Sequence, residues 1–414
     1  MQNTSAQNTS AHKRNVIIVI VVASLGYFVD IYDLILFSIV RVASLKSLGV
    51  PDNELLSKGV LLINMQMAGM LLGGILWGIL GDKKGRLSVL FGSIIMYSVA
   101  NILNGMVQDI PQYAVMRFIA GIGLAGELGA GITLVSEVMS KEGRGYGTSI
   151  VAAIGICGAV AAALVGDAFD WRIAYYVGGG LGLILLFLRM GIYESGMYNM
   201  IKQSEVNRGN FFMLFTDWKR FKKYAKCILI GVPLWFVVGI LITFSPEFAK
   251  TLGMTEPISA GKAVMYCYIG LVFGDLGSGF LSQLIRSRKK VVLMFLVLET
   301  IFIVVYLFVN NHGSFYYYSL CGVLGFASGY WAVFVTNASE QFGTNLRATV
   351  TTSVPNFVRG SVVPVTILFQ TLNPYTGIIY SALIVASLSL ILAFYAAFRM
   401  EETYGKELNY IEPI

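Results

Sequence analysis

The chain has 414 residues, of which 56% are hydrophobic and 13% charged, with a net charge of +7. A soluble domain carries roughly a quarter charged residues, so this composition argues against a large soluble α-protein with a buried core and for a polytopic membrane protein. The basic excess lies in short connections between apolar runs, which points to membrane orientation rather than to nucleic-acid binding.

The chain opens on a polar unit, QNTSA, that occurs twice in succession (residues 2–11) and is followed by His12, Lys13 and Arg14. The apolar run beyond it is too long for a signal peptide, lacks a small-residue cleavage site and holds two acids, so it reads as a first membrane helix. About twelve spans of roughly 20 residues follow in all. Their expected limits are 15–43, 59–81, 87–108, 112–138, 147–168, 173–191, 224–245, 263–283, 291–309, 315–339, 349–371 and 377–398. They are called spans 1 to 12 below. The longest interruption, 192–223, divides them six and six. It carries KRFKK (219–223) beside Phe211, Phe212, Phe215 and Trp218, a basic, partly amphipathic linker for the membrane surface, with a regulatory site as the other reading.

The expected organisation is therefore a tail (1–14), a six-helix bundle (15–191), the linker (192–223), a second six-helix bundle (224–398) and a second tail (399–414). The halves resemble each other. Ser136-Glu137 with Arg144 follows span 4, and Ser339-Glu340 with Arg347 follows span 10, at the same spacing. This points to an internal repeat, as in transporters that bind solute between two halves. The fold class is an all-α membrane protein of two pseudo-symmetric six-helix bundles.

The strongly basic connections, KKGR (83–86), the linker and RSRKK (286–290), all fall on the side of the N-terminus, as does the C-terminal tail. The opposite loops carry few basic residues, offset by acids such as Asp52, Asp170 and Glu247. By the positive-inside rule both termini are cytoplasmic, and the sequons at Asn3 and Asn8 face the wrong compartment for glycosylation. Cys157, Cys227, Cys267 and Cys321 lie in or beside apolar segments without C-x-x-C spacing, so they read as small core residues and imply neither disulfide nor metal. No cofactor is expected.

Two motifs stand out. GILGDKKGR (78–86) lies between spans 2 and 3: its glycines permit a tight turn, and its acid and bases can bridge helix ends. RFIAGIGLAG (117–126) opens span 4 and contains G-x-G-x-x-G. A dinucleotide site needs a βαβ unit around that pattern. Inside a membrane helix the glycines instead allow close packing, as do Gly69/Gly73 and Gly74/Gly78 in span 2.

The first motif resembles the signature of the major facilitator superfamily, and the resemblance runs over nearly the whole chain. A decayed copy, GFLSQLIRSRKK (279–290), has Gln283 in place of the acid, and Asp170-Trp171-Arg172 after span 5 also fits. A finer resemblance is to the metabolite:proton symporters, including the aromatic-acid group. It rests on Asp30 and Asp33, Arg117, Glu137, Arg347, Arg359 and Pro364. Two departures are Asp-Ile-Tyr-Asp (30–33), where that group has Asp-Gly-Phe-Asp, and a glycine-poor SVPNFVR (353–359). Span 5 lacks the Gly-Pro element of drug:proton antiporters.

Asp30 and Asp33 share one face of span 1. At ~1.5 Å per residue, Asp30 lies about 22 Å from the cytoplasmic end and Arg117 roughly 8 Å from the outer end of span 4. In a ~30 Å core these depths are similar. The resemblance puts both spans on the cavity, so Arg117 is the expected partner of Asp30. The functional expectation is proton coupling by Asp30 and Asp33, modulated by Arg117, with Glu127 as a second proton site; the plain alternative is a static buried ion pair. His12 and His312 lie at membrane edges, so carboxylates must carry any proton.

Arg359 and Asp275 fall near mid-membrane in spans 11 and 8. Arg359 is the candidate for a solute carboxylate or phosphate, because its guanidinium forks. Mutual neutralisation of Arg359 and Asp275 is the rival. Asn64, Gln66, Trp235, Tyr330, Trp331 and Asn356 are further candidates for the cavity wall or for packing. Glu299 in span 9 has no evident role. Gly78, Asp82, Gly85, Arg86, Glu137, Arg144, Glu340 and Arg347 are expected to form a cytoplasmic gate. The expected function is proton-coupled symport of a small anionic metabolite by alternating access. The partners are the solute, protons and the bilayer, and the chain is expected to be a monomer in a bacterial inner membrane. Export or facilitated passage of a neutral metabolite, sugar or siderophore is the alternative, and a non-transporting sensor a remote one. No metal-spaced His/Cys cluster or G-x-S-x-G elbow supports an enzyme.

Overall fold

The computed structural model describes residues 2–84, 86–127, 144–192, 211–309, 313–405 and 412. These form helices joined by short turns, with no strand among the described residues. Among the described residues, nine helices are long and apolar enough to cross a membrane, and two shorter apolar ones, Val89–Asn104 and Ile110–Leu124, lie between them. The last of the nine runs Thr349–Arg399, 51 residues. That is about 77 Å at 1.5 Å per residue, far more than one crossing. It turns at Gly377, whose φ of 72° a side chain would strain. The order is consistent with twelve crossings.

Boundaries follow local chemistry. Asp109 caps span 4, accepting from the Gln112 N–H at 2.8 Å, with Pro111 in the first turn. Asp217, Ser259 and Ser287 cap spans 7, 8 and 9 in the same way. The first helix begins at Gln2, so the polar repeat continues span 1 rather than forming an irregular tail.

Two irregularities had no expectation. Span 7 contains Pro233, which removes one backbone donor, and then loosens into a π-helical stretch, Val237–Ile242. Span 10 is broken: one helix ends at Ala327 and the next starts at Trp331.

One continuous apolar core runs from Ala23 to Met400. Large apolar side chains such as Phe187, Leu164, Phe280, Phe315 and Ile391 point outward, as suits a lipid-facing belt. Glycines set the closest helix contacts. A Cβ at Gly69 or Gly73 of span 2 would strike the span 4 backbone at Phe118 and Ile122, and one at Gly121 would strike that of Gln66.

Candidate functional site

Midway along the bundle, five ionisable side chains are buried together: Asp30 and Asp33 on span 1, Arg117 on span 4, Asp275 on span 8 and Arg359 on span 11. Asp30 faces Arg359, with 3.9 Å between the Oδ2 and Nη2 atoms. This corrects the expected pairing. Asp30 goes to the arginine of the second half, and Arg117 donates instead to Gln66 Oε1 and lies under the rings of Phe37 (5.0 Å) and Tyr175 (5.8 Å). Gln66 in turn donates to the Leu34 carbonyl at 3.2 Å. Asp33 has Arg117, Asp30 and Asn101 as its polar neighbours and forms no ion pair among the described residues. Gly178 of span 6 leaves room for it, since a Cβ there would overlap Oδ1.

Arg359 is flanked by two tryptophans, with its guanidinium carbon 5.6 Å from the Trp235 ring and 5.9 Å from the Trp331 ring. Those rings meet edge to face at 6.5 Å. The rival pairing of Arg359 with Asp275 does not form. Asp275 Oδ1 accepts the Ala332 N–H at 3.1 Å and so caps the helix that restarts span 10. Tyr27 of span 1 is buried within electrostatic reach of Asp30, Arg359 and Asp275.

The other expected wall residues divide. Asn64 accepts from Thr366 Oγ1 at 2.6 Å, and Asn356 donates to the Ala125 carbonyl at 2.8 Å, where span 4 leaves its helix. Both contacts join the two halves of the chain. Tyr330 points to Glu299 and the Ile230 carbonyl. Glu127 does not stand alone: Arg189, near the end of span 6, holds both of its oxygens, one at 3.1 Å. Gly26 of span 1 makes room for this pair. Arg189 was not singled out from the sequence, where it stands near the end of span 6.

At the end of the bundle away from the linker, Arg41 and Glu247 form a second contact between the halves. Arg41 Nη1 and Nη2 each lie 2.7 Å from a Glu247 oxygen. Arg41 also donates to the carbonyls of Leu55 and Thr243 at 3.3 Å, and Phe244 lies 4.6 Å away. Thr243 Oγ1 donates to Ser38 at 2.9 Å. Neither charge was singled out from the sequence, where Glu247 only offset loop lysines. An arginine inside the apolar IVRVA (39–43) was the available signal.

Of the expected cytoplasmic gate, Gly78 lies in the span 2 helix with open space beside it. Glu340 accepts from Thr403 Oγ1 at 2.7 Å and pairs with Arg288 at 3.6 Å, while Arg347 donates to the Phe342 carbonyl at 3.4 Å. Gly85, Glu137 and the side chains of Asp82, Arg86 and Arg144 lie outside the described residues. No group of three or more metal-ligating side chains occurs among the described residues.

The Major Facilitator Superfamily model matches residues 19–364. The chain belongs to this superfamily. Its members are transporters, so the chain is an integral, multi-pass membrane transporter for a small molecule and not an enzyme. Among facilitator relatives, it is 28% identical to a probable 4-methylmuconolactone transporter of Cupriavidus pinatubonensis, over 78% of this chain and 76% of that one. It is 28% identical to a putative metabolite transport protein of Haemophilus influenzae (89% and 94% covered). It is 26% identical to a cis,cis-muconate transport protein of Acinetobacter baylyi (84% and 86%). The crystal structure of a D-xylose-proton symporter superposes with a TM-score of 0.68 at 16% identity, covering 95% of this chain and 100% of that one, which shows the fold.

Proposed function

We propose that this facilitator imports an organic anion together with a proton. The observation that carries the reading is the charge balance at the centre. Three buried carboxylates, Asp30, Asp33 and Asp275, share that space with two buried guanidiniums, those of Arg117 and Arg359. An uncompensated charge in the bilayer interior is costly; the empty cluster carries one negative charge in excess, and a solute carboxylate that enters with one proton leaves that net charge unchanged. A proton on Asp30 also releases Arg359. Its fork then takes the solute carboxylate bidentately, between Trp235 and Trp331. Anion and proton thus favour each other's binding, which is the requirement for symport. Flat aromatic walls suit an unsaturated or aromatic acid, and relatives named for muconate, benzoate and 3-(3-hydroxy-phenyl)propionate transport support that class.

The halves 15–191 and 224–398 are the units that rock around this centre, with Arg41 and Glu247 closing the outer side and the charged helix ends near Glu340 and Arg347 serving the inner side. Arg117 with Gln66 orients Asp33, while Asn64 and Asn356 hold the halves together. The setting in this reading is a bacterial inner membrane, with both termini cytoplasmic and a monomer as the working unit.

The test is uptake into proteoliposomes with a pH-sensitive dye inside. The panel is cis,cis-muconate, benzoate, 3-(3-hydroxyphenyl)propionate, xylose and an amino acid. An acid that enters with acidification in the wild type, and fails to do so with Asp30→Asn, supports the reading. Entry of a solute without proton movement, unchanged in Asp30→Asn, overturns proton coupling at Asp30. Movement of xylose alone overturns the anionic substrate.

A further inference from the structure

Glu299 comes from span 9, which packs against spans 8 and 10, and it is completely buried. Its Oε1 accepts from Ser328 Oγ at 2.8 Å. Its Oε2 lies 3.3 Å from the Tyr330 hydroxyl, which also lies 3.0 Å from the Ile230 carbonyl of span 7. Ser328 and Tyr330 are the two ends of the break in span 10, and the helix resumes at Trp331. Between them stands Gly329, where a Cβ would overlap the span 8 backbone at Gly274 and Asp275. The break therefore fits between Glu299 on one side and span 8 on the other. Immediately beyond it, Trp331 meets Arg359 and the Ala332 N–H meets Asp275.

We propose that Glu299 is the positioning residue for the solute-facing wall of the second half. By holding Ser328 and Tyr330 it fixes the break in span 10, and so sets where Trp331 and the Ala332 N–H stand against Arg359 and Asp275. The side chain does this as a hydrogen-bonding group that joins spans 7, 9 and 10, without touching solute. Helix termini inside a bilayer must find partners within the protein, and Glu299 with Asp275 supplies them from two directions. Only the consequence for transport rests on the reading of Arg359 as the solute-binding group.

The geometry specifies which substitutions matter. Glutamine keeps one acceptor for Ser328, and its amide N–H can donate to the Tyr330 oxygen while that hydroxyl donates to Ile230. Alanine leaves both hydroxyls without this partner. The experiment is hydrogen–deuterium exchange of the full chain in nanodiscs, read on peptides covering 325–335, for Glu299→Gln, Glu299→Ala, Ser328→Ala and Tyr330→Phe. Exchange across the break should rise about tenfold in Glu299→Ala, since buried groups lose their partners. It should rise less in the two hydroxyl deletions and stay near wild type in Glu299→Gln. In uptake of cis,cis-muconate or benzoate, Glu299→Ala should raise KM several-fold with a smaller change in maximal rate, and Glu299→Gln should rescue it. If Glu299→Ala does not fold, Ser328→Ala and Tyr330→Phe still decide. Unchanged exchange in both overturns the proposal. So does a Glu299→Gln protein that loses uptake with normal exchange, because the carboxyl group itself would then be needed. If the wild type takes up neither acid, the solute reading fails while the exchange result still judges the positioning role.

Discussion

Among the described residues, two ion pairs join the halves of the chain, and they are built differently. At the end away from the linker, Arg41 meets Glu247 through both carboxylate oxygens at 2.7 Å, and two carbonyls and an aromatic ring also contact the guanidinium. At the centre, Arg359 approaches Asp30 only to 3.9 Å and is flanked by indole rings rather than by acceptors. The Arg41–Glu247 pair is close and bidentate, so breaking it leaves an uncompensated buried charge. The central pair is loosely satisfied, so its arginine can change partner at lower cost. In the proposed reading, a guanidinium and a carboxylate thus make a latch in one place and an exchangeable contact in another.

The largest effect expected outside the central acids is at the latch. Glu247→Gln strips Arg41 of its counter-charge, at a cost of about 3–5 kcal/mol for a buried pair. The outer side should then open more often. In a Cys157→Ser background, Ser38→Cys should react many times faster with a membrane-impermeant maleimide when Glu247→Gln is present. Equal rates would remove the latch and with it the contrast drawn above.

A smaller effect separates a third pair from both. Glu127 and Arg189 lie within one half and join spans 4 and 6. Glu127→Gln should lower Tm by about 3–6 °C, as expected when a buried pair loses its charge in a large chain. The number of protons carried per solute should not change. A changed ratio would return Glu127 to the proton path that its sequence position first indicated.

The smallest effect lies outside the membrane. Burial pushes the Glu402 carboxyl up, but the Ser287 hydroxyl and the N–H groups of Tyr404, Arg288 and Lys289 outweigh this and hold it below the usual range. A carboxyl lowered on folding contributes stability that is present above its unfolded value and lost as pH falls through its folded one. Thermal melts should therefore show Glu402→Gln slightly less stable than wild type at neutral pH, with the gap closing below about pH 4. A gap that persists at lower pH would show that the loss is one of packing.

The sequence by itself determined the membrane class, the helical order, the superfamily and the presence of central charges. Apolar length and burial cost leave few alternatives: a carboxylate such as Asp30 inside an apolar run has to be there for a reason. Depth along the helices puts Asp30, Arg117, Asp275 and Arg359 at similar expected levels. It could not choose partners, because depth is one coordinate and pairing needs rotation about each helix as well. That is why Arg117 went to Gln66 and Arg359 to Asp30. Only the tertiary structure supplied Arg189, the Arg41–Glu247 latch and a position for Glu299. Each depends on which helices are neighbours and on where a helix breaks. The break in span 10 leaves no trace in hydropathy, since Ser328, Gly329 and Tyr330 are all ordinary residues for a membrane helix, and it exists because Glu299, Asp275 and Gly274 meet there in space.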